Sequence, residues 1–269
     1  MSYKASKNHY HDDGDVKIVC NKTVFKVHSV VLRLSSKFFA SKFTHEWKSS
    51  SMFPFYVYVN NEEPENIETL LSLIYPGKHL SISWTNVEVI LRLRDSYDVE
   101  ALRQAAEEFL EEKYYMRPLK SLLLAEKYRF SNVFNMSSTY IIDDIYTYRK
   151  LTDFDRISDR TQRKLFQARL DFIKDMTTVT YDDLPGCEQC FDYRDSKLDA
   201  MILQLRDPSS SIVKILEKIA AFSEKNAVHA TCMKTVRKHM AQFLKTHFGS
   251  ETPSLTSLQT TKSLWIELD

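Results

Sequence analysis

Residues 15–43 read DVKIVCNKTVFKVHSVVLRLSSKFFASKF and contain two short strand patterns followed by a helical pattern. Val16, Ile18 and Cys20 fall at every second position, which is the period of a β-strand. Residues 23–28 are rich in β-branched and aromatic side chains, which favour strands. The apolar residues that follow recur at helical spacing. The stretch therefore predicts a β-hairpin that runs into a pair of helices.

Several residues of this stretch, taken in order, resemble the start of a BTB/POZ domain. The family pattern has Asp-Val before a strand, then Phe-x-x-His, a Val-Leu pair, Ser-x-x-Phe and a further Phe. The matching residues here are Asp15-Val16, Phe25, His28, Val31-Leu32, Ser36, Phe39 and Phe43. The alternative is an unrelated α+β hairpin unit in which these apolar residues simply fill a core.

The chain continues this resemblance as far as residue 113. A third strand pattern covers residues 55–59, and Pro64 suits the first turn of the helix that follows. That helix stops at Tyr75-Pro76-Gly77, which is similar to the Tyr-x-Gly turn of the BTB fold. We therefore predict an α+β BTB/POZ domain at residues 14–113, preceded by a polar tail at residues 1–13.

Residues 114–249 show repeated apolar stripes at helical spacing and are predicted to be helical throughout. The phrase Ala125-Glu126-Lys127-Tyr128 resembles the all-α, BACK-like extension that often follows a BTB domain. Any helical hairpin would satisfy the stripe equally well. Residues 250–269 are rich in Ser and Thr and are predicted to form a flexible tail.

Composition limits the classes of partner. The 269 residues carry a net charge of +1, so neither nucleic acid nor an anionic membrane is expected to attract the chain. No apolar run is long enough to span a bilayer, and the first thirteen residues lack the apolar core of a secretory signal. We expect an intracellular protein, in the nucleus or the cytoplasm. Its four cysteines are then expected to be thiols or metal ligands rather than disulfides.

The motif that best suits a metal is Cys187-x-x-Cys190 together with His229-x-x-Cys232. These four residues offer the soft ligands of a closed structural zinc site. The arrangement resembles the C-terminal half of fungal BTB proteins, in which a helix rich in Arg and Leu precedes a Cys-x-x-Cys turn. The sequence departs from that pattern in two ways: a histidine stands in the second pair, and no additional cysteine follows soon after the first pair. The alternative is that Cys232 fills a core and His229 lies on the surface.

No catalytic motif is present. The sequence contains no nucleophile elbow, phosphate-binding glycine loop or metalloprotease motif. His28 belongs to the BTB pattern and is expected to be a structural histidine with its hydrogen bonds satisfied. We therefore expect a protein that is not an enzyme.

The resemblance also bears on self-association. BTB dimers often bury a charged pocket formed by the aspartate before the first strand and a basic residue after the histidine. Asp15 is present here, but Ser29 stands at the basic position. Because an unpaired buried carboxylate is costly, Asp15 is expected to be solvated or hydrogen-bonded. We predict a monomer or a weak homodimer.

The resemblance implies binding to other proteins. In BTB proteins that bind cullins, a hydrophobic-x-Glu signature often follows the helix that contains Phe43. This loop offers Phe43, Glu46 and Trp47 as candidate contact residues, but Thr44 stands two before Glu46 and is not hydrophobic. One interpretation is a substrate adaptor for a cullin-type ubiquitin ligase. The alternative is a transcription-associated or scaffold BTB protein that acts without a cullin.

Overall fold

The computed structural model describes residues 3–45, 54–77, 81–177, 203–204, 206–215, 217–218 and 265–268. Its contacts divide the chain into two compact units, Met1–Glu112 and Lys113–Asp269. The first unit combines a four-stranded sheet with helices, and the described part of the second unit is helical. The predicted α+β class with a following helical region is therefore confirmed.

The sheet of the first unit has the strand order β1-β3-β2-β4. β2 and β3 form the predicted antiparallel hairpin, and Asn21 in its connection adopts a positive φ of 52°. β4 lies parallel to β2, and β1 lies parallel to β3. The strands are β1 (Lys4–Tyr10), β2 (Val16–Cys20), β3 (Thr23–Val27) and β4 (Phe55–Val59).

β1 corrects the prediction of a polar tail at residues 1–13, because Lys4–Tyr10 forms a strand of the sheet. The two side chains that β1 buries are those of Ser6 and His9, and the His9 Nε2 atom lies 2.9 Å from the Ser72 hydroxyl. A strand held by main-chain pairing and buried polar groups has no alternating apolar pattern. Hydrophobic periodicity therefore could not reveal it.

A glycine allows the chain to pass closely from β1 to β2. A Cβ atom added to Gly14 would come within 2.9 Å of both the main-chain nitrogen and the carbonyl oxygen of Val27. Only a residue without a side chain fits at this separation. Gly14 thus fixes how closely the connection packs against the end of β3.

Five helices are described in the first unit, and they pack mainly against one another, with the helix Pro64–Ile74 also in contact with β1. Pro64 occupies the first turn of its helix, as predicted. Phe39, Leu70, Leu91 and Leu102 are fully buried within this core. The helices are α1 (Ser29–Ser35), α2 (Lys37–His45), α3 (Pro64–Ile74), α4 (Val87–Tyr97) and α5 (Glu100–Lys113).

The helices of the second unit include α6 (Pro118–Tyr128), α7 (Ser131–Asp143), α8 (Ile145–Tyr148) and α9 (Asp159–Thr177), and residues 212–215 are also helical. Short 3₁₀ helices cover Tyr114–Met116 and Thr152–Arg156. α6 ends at Arg129, whose φ of 61° is left-handed, and α7 packs against both α6 and α9. Among the described residues of the second unit none forms a strand, in agreement with the predicted helical region.

Buried polar groups hold residues 206–215 in this unit. Asp143 accepts hydrogen bonds from the Ser211 hydroxyl at 2.8 Å and from the Val213 main-chain N–H at 2.9 Å. Arg169, which is buried, donates from Nη2 to the carbonyl oxygen of Asp207 at 3.1 Å. Burial raises the pKa of Asp143 and lowers the pKa of Arg169, since it disfavours both charged forms. The two side chains join helices α7 and α9 to a segment far along the chain.

Residues 265–268 also pack within the second unit. Ile266 is only 7% exposed, and its main-chain N–H donates to the Ser138 hydroxyl. The predicted flexible tail at residues 250–269 is therefore wrong for these four residues. A segment of four residues is too short to show periodicity, so its packing could not be predicted from apolar spacing.

Candidate protein interaction surfaces

Asp15 and Ser29 are joined by two hydrogen bonds at the junction between the sheet and α1. The Ser29 main-chain N–H donates to Asp15 Oδ1 at 2.7 Å, and its hydroxyl donates to Oδ2 at 2.6 Å. Both carboxylate oxygens thus have a donor from the same chain. The expectation that Asp15 is hydrogen-bonded in the absence of a basic neighbour is confirmed.

His28 is held between Tyr75 and Asp13. Its Nδ1 atom lies 3.0 Å from the Tyr75 hydroxyl, its main-chain N–H donates to that hydroxyl at 2.8 Å, and its Nε2 atom is 3.1 Å from Asp13 Oδ1. The hydrogen bond from His28 lowers the pKa of Asp13, and burial raises the pKa of Tyr75. Both ring nitrogens have partners, as predicted for a structural histidine.

Of the three predicted partner-contact residues, only Phe43 lies within the described part of the chain. Phe43 is only 4% exposed and packs against Phe39 and Phe55, with ring centroids 6.1 and 5.7 Å away. Phe43 is therefore a core residue and does not present its ring to a partner. Glu46 and Trp47 lie outside the described residues.

α1 exposes two aliphatic side chains, which we call the α1 face. Val30 is 57% exposed and Leu34 is 83% exposed, and the two lie one helical turn apart. The side of α1 that enters the core instead carries Ser29 and Leu32. Helical spacing identified Val30 and Leu34 as one stripe, but it could not tell a stripe that faces the core from one that faces a partner.

A second exposed patch lies on the outer face of the sheet. Tyr56 and Tyr58 stack along β4 with centroids 6.3 Å apart, and Lys17 of β2 places its Nζ atom 5.4 Å from the Tyr56 ring centre. Both tyrosines are exposed. Tyrosine is favoured in protein interfaces because it combines a large apolar ring with a polar hydroxyl.

The cysteine that the structure describes is inert. The Cys20 thiol is buried and donates to the carbonyl oxygen of Glu62 at 3.0 Å. Burial raises the pKa of Cys20 to about 11, so the thiol is protonated at neutral pH and is a poor nucleophile and metal ligand.

The predicted zinc ligands Cys187, Cys190, His229 and Cys232 lie outside the described residues. Within the described part of the chain, no group of three or more His, Cys, Asp or Glu side chains is arranged to hold a metal ion. The zinc site therefore stays a prediction.

A family model described as the BTB/POZ domain matches residues 5–114. Residues 5–114 are a BTB/POZ domain. The match begins within β1 and continues through α5. The BTB/POZ domain of this chain thus starts before residue 14, where the resemblance had placed its beginning.

The chain is also similar to larger animal proteins. It is 26% identical to human Kelch-like protein 25 over 175 residues, which is 60% of this chain and 29% of the relative. It is 26% identical to BTB and MATH domain-containing protein 36 of Caenorhabditis elegans over 163 residues, 60% of this chain and 50% of the relative. Human Kelch-like protein 7 is 29% identical over 99 residues, 37% of this chain and 16% of the relative.

The similarity to these relatives covers only part of each of them. The chain spans well under two thirds of the length of each, so the activities of the whole relatives do not transfer with the match. The animal relatives lend no support to the resemblance to fungal BTB proteins. Among the helices that the structure describes, none has both the length and the apolar character needed to cross a membrane.

Proposed function

We propose that this chain is a protein–protein interaction module and not an enzyme. The observation that carries the proposal is the BTB/POZ domain at residues 5–114, together with its similarity to Kelch-like and BTB–MATH proteins. The exposed pair Val30 and Leu34 supports it, because contiguous exposed apolar side chains are typical of contact surfaces. Other proteins, rather than nucleic acid or a membrane, are the proposed partners, within the nucleus or the cytoplasm.

The more specific proposal is a substrate adaptor for a cullin-type ubiquitin ligase. Its support is the similarity to Kelch-like proteins and the position of Glu46 directly after α2, which ends at His45. The alternative is a transcription-associated or scaffold protein that acts without a cullin. The residue that favours this alternative is Thr44, which stands where the cullin-binding signature has a hydrophobic side chain.

We further propose that the chain is a monomer or a weak homodimer. Asp15 has both carboxylate oxygens occupied by Ser29 of its own chain, so it does not need a basic residue from a second copy. The α1 face remains available for a weak contact. An apolar pair of this size is small compared with the area that a stable dimer buries.

A direct binding measurement separates the two functions. The full-length chain is titrated with a purified cullin scaffold, and the Trp47→Ala chain is titrated alongside it. The adaptor proposal expects binding by the wild-type chain and at least ten-fold weaker binding by Trp47→Ala, because burial of an aromatic anchor carries much of a typical interface energy. The control is Tyr58→Ala, which removes an exposed ring from the sheet face.

The outcomes of this titration are distinct. Equal weakening by Trp47→Ala and Tyr58→Ala would place the contact elsewhere and remove the proposed role of the loop after α2. If the wild-type chain melts cooperatively and yet shows no binding, the adaptor function is rejected. The function without a cullin is then retained.

A further inference from the structure

Residues 265–268, with the sequence Trp-Ile-Glu-Leu, lie in the second unit against helices α7 and α9. Ile266 is buried, Trp265 and Leu268 are half-buried, and Glu267 is exposed. The segment has no regular secondary structure of its own. Its contacts with the helices therefore determine its position.

Helix α7 satisfies both main-chain polar groups of Ile266. The Ile266 N–H donates to the Ser138 hydroxyl at 3.1 Å. With the Asn135 amide assigned so that its nitrogen faces the segment, that nitrogen donates to the Ile266 carbonyl oxygen at 2.8 Å. The Ser138 hydroxyl itself donates to the main-chain oxygen of Asn135 at 2.7 Å, which leaves its lone pair directed to the segment. Asn135 and Ser138 are three residues apart and share one face of the helix. Together they supply the pair of hydrogen bonds that a neighbouring β-strand would supply.

Helix α9 adds a third contact. Lys164 donates from Nζ to the carbonyl oxygen of Glu267 at 2.9 Å. This contact also reaches the main chain of the segment. We call Asn135, Ser138 and Lys164 the tail groove.

The chemistry of the tail groove defines what it selects. Three hydrogen bonds to main-chain atoms select a peptide segment with its main chain free to pair, whatever its sequence. The buried Ile266 side chain adds a requirement for one aliphatic residue, and the exposed Glu267 tolerates a polar residue after it. None of these contacts depends on the covalent attachment of the segment to this chain.

We propose that the tail groove is a second binding site of this protein, for a peptide segment of a partner with an aliphatic residue at the Ile266 position. Residues 265–268 occupy it as an internal ligand that competes with the partner. A tethered ligand acts at a high effective concentration, so it weakens the apparent affinity for a peptide of the same chemistry. The site goes beyond the proposed BTB function, since its residues lie outside residues 5–114.

The test uses a fluorescent synthetic peptide of residues 262–269 and the full-length chain. Ile266→Asp places a carboxylate where the structure buries an aliphatic side chain, so it releases the internal ligand. Anisotropy titration is expected to give at least ten-fold tighter peptide binding to Ile266→Asp than to the wild-type chain. Adding Asn135→Ala to Ile266→Asp should reverse most of that gain, whereas the control Asn132→Ala, an exposed amide on the same helix, should not.

Two results overturn the proposal. One is equal affinity of the peptide for the wild-type and Ile266→Asp chains, because the internal segment would then not compete. The other is equal effects of Asn135→Ala and Asn132→Ala. If Ile266→Asp does not melt cooperatively, the wild-type chain is treated with excess peptide that carries a photo-reactive group at the Trp265 position. Crosslinks within α7 or α9 are expected, and crosslinks confined to other segments reject the site.

Discussion

Ser29 donates a hydrogen bond to each oxygen of the Asp15 carboxylate, one from its main-chain N–H and one from its hydroxyl. The pair joins the residue before β2 to the first residue of α1. The Asp15 carboxylate therefore has two hydrogen-bond donors from its own chain.

Ser29→Ala should lower the free energy of unfolding by about 1–2 kcal/mol, because it removes one hydrogen bond to a charged group and leaves the main-chain bond intact. Urea unfolding of the full-length chain measures the change. The matched control is Ser41→Ala, whose exposed hydroxyl bonds only to the Phe38 carbonyl of its own helix. Equal midpoints for Ser29→Ala and the wild-type chain would mean that the Asp15 contact contributes nothing.

Self-association should be weak. Light scattering of the wild-type chain is expected to give a monomer mass at nanomolar concentration, with any increase appearing only at micromolar concentration or above. Leu34→Asp should remove that increase, since it places a charge on the α1 face. A dimer mass that persists at nanomolar concentration would contradict the prediction.

The Glu62–Arg92 pair should make stability depend on acid. Arg92 donates to both Glu62 oxygens, at 2.5 and 2.9 Å, and these bonds lower the pKa of Glu62. A carboxylate whose pKa is lowered by folding contributes stability above its unfolded pKa, about 4.3, and loses it as the pH falls through the folded value. Arg92→Gln should therefore cost most near pH 7 and progressively less below about pH 4.

The measurement for Arg92→Gln is the urea midpoint across pH 2.5–7.5. At pH 7 we expect a loss of about 1–3 kcal/mol, discounted because Arg92 is half-exposed. Arg92→Lys keeps the charge but not the two-pronged geometry, so its curve should lie between the other two. Parallel curves for Arg92→Gln and the wild-type chain would show that the pair does not titrate on unfolding.

Phe39→Ala should cost about 3–5 kcal/mol, because the ring is fully buried and removal leaves a cavity. The ring stacks on Tyr97 and Phe43, with centroids 5.6 and 6.1 Å away. Thermal melting measures the loss, and Tyr58→Ala on the exposed sheet face should change stability by about 0.5 kcal/mol or less. An unchanged melt for Phe39→Ala would contradict the described core.

Zinc remains a proposal for Cys187, Cys190, His229 and Cys232. Metal analysis of the purified full-length chain should give one zinc per chain, and Cys187→Ser should lose it, because a closed structural site needs all four ligands. Cys20→Ser is the control, since the Cys20 thiol is buried and protonated. A chain that folds with no bound zinc would leave the alternative, in which Cys232 is a core residue.

The spacing of apolar residues predicted most of the strands and helices of the first unit. The alternation of Val16, Ile18 and Cys20 predicted β2, and its residues pair with β3 as a hairpin. The stripe of α3 predicted a buried helix face, and Ile67 and Leu70 lie in the core. These elements bury apolar side chains at regular spacing, which is the signal that a single sequence carries.

The elements that were missed are held by polar contacts between residues far apart in the chain. β1 depends on pairing with β3 and on a buried histidine, and Ile266 depends on hydrogen bonds to Ser138, 128 positions earlier. The exposure of Val30 and Leu34 depends on which side of α1 meets the core. None of these is a local property of the sequence.

The parallel pairing of β1 with β3 has a practical consequence for expression and aggregation. A chain shortened to begin at residue 14 would lose Lys4–Tyr10 and leave the β3 edge with unpaired main-chain groups. An open strand edge is a template for addition of a strand from another molecule. Such a shortened domain should aggregate more readily than the full-length chain, because residues 4–10 cover the β3 edge and thereby prevent pairing with a strand of another molecule.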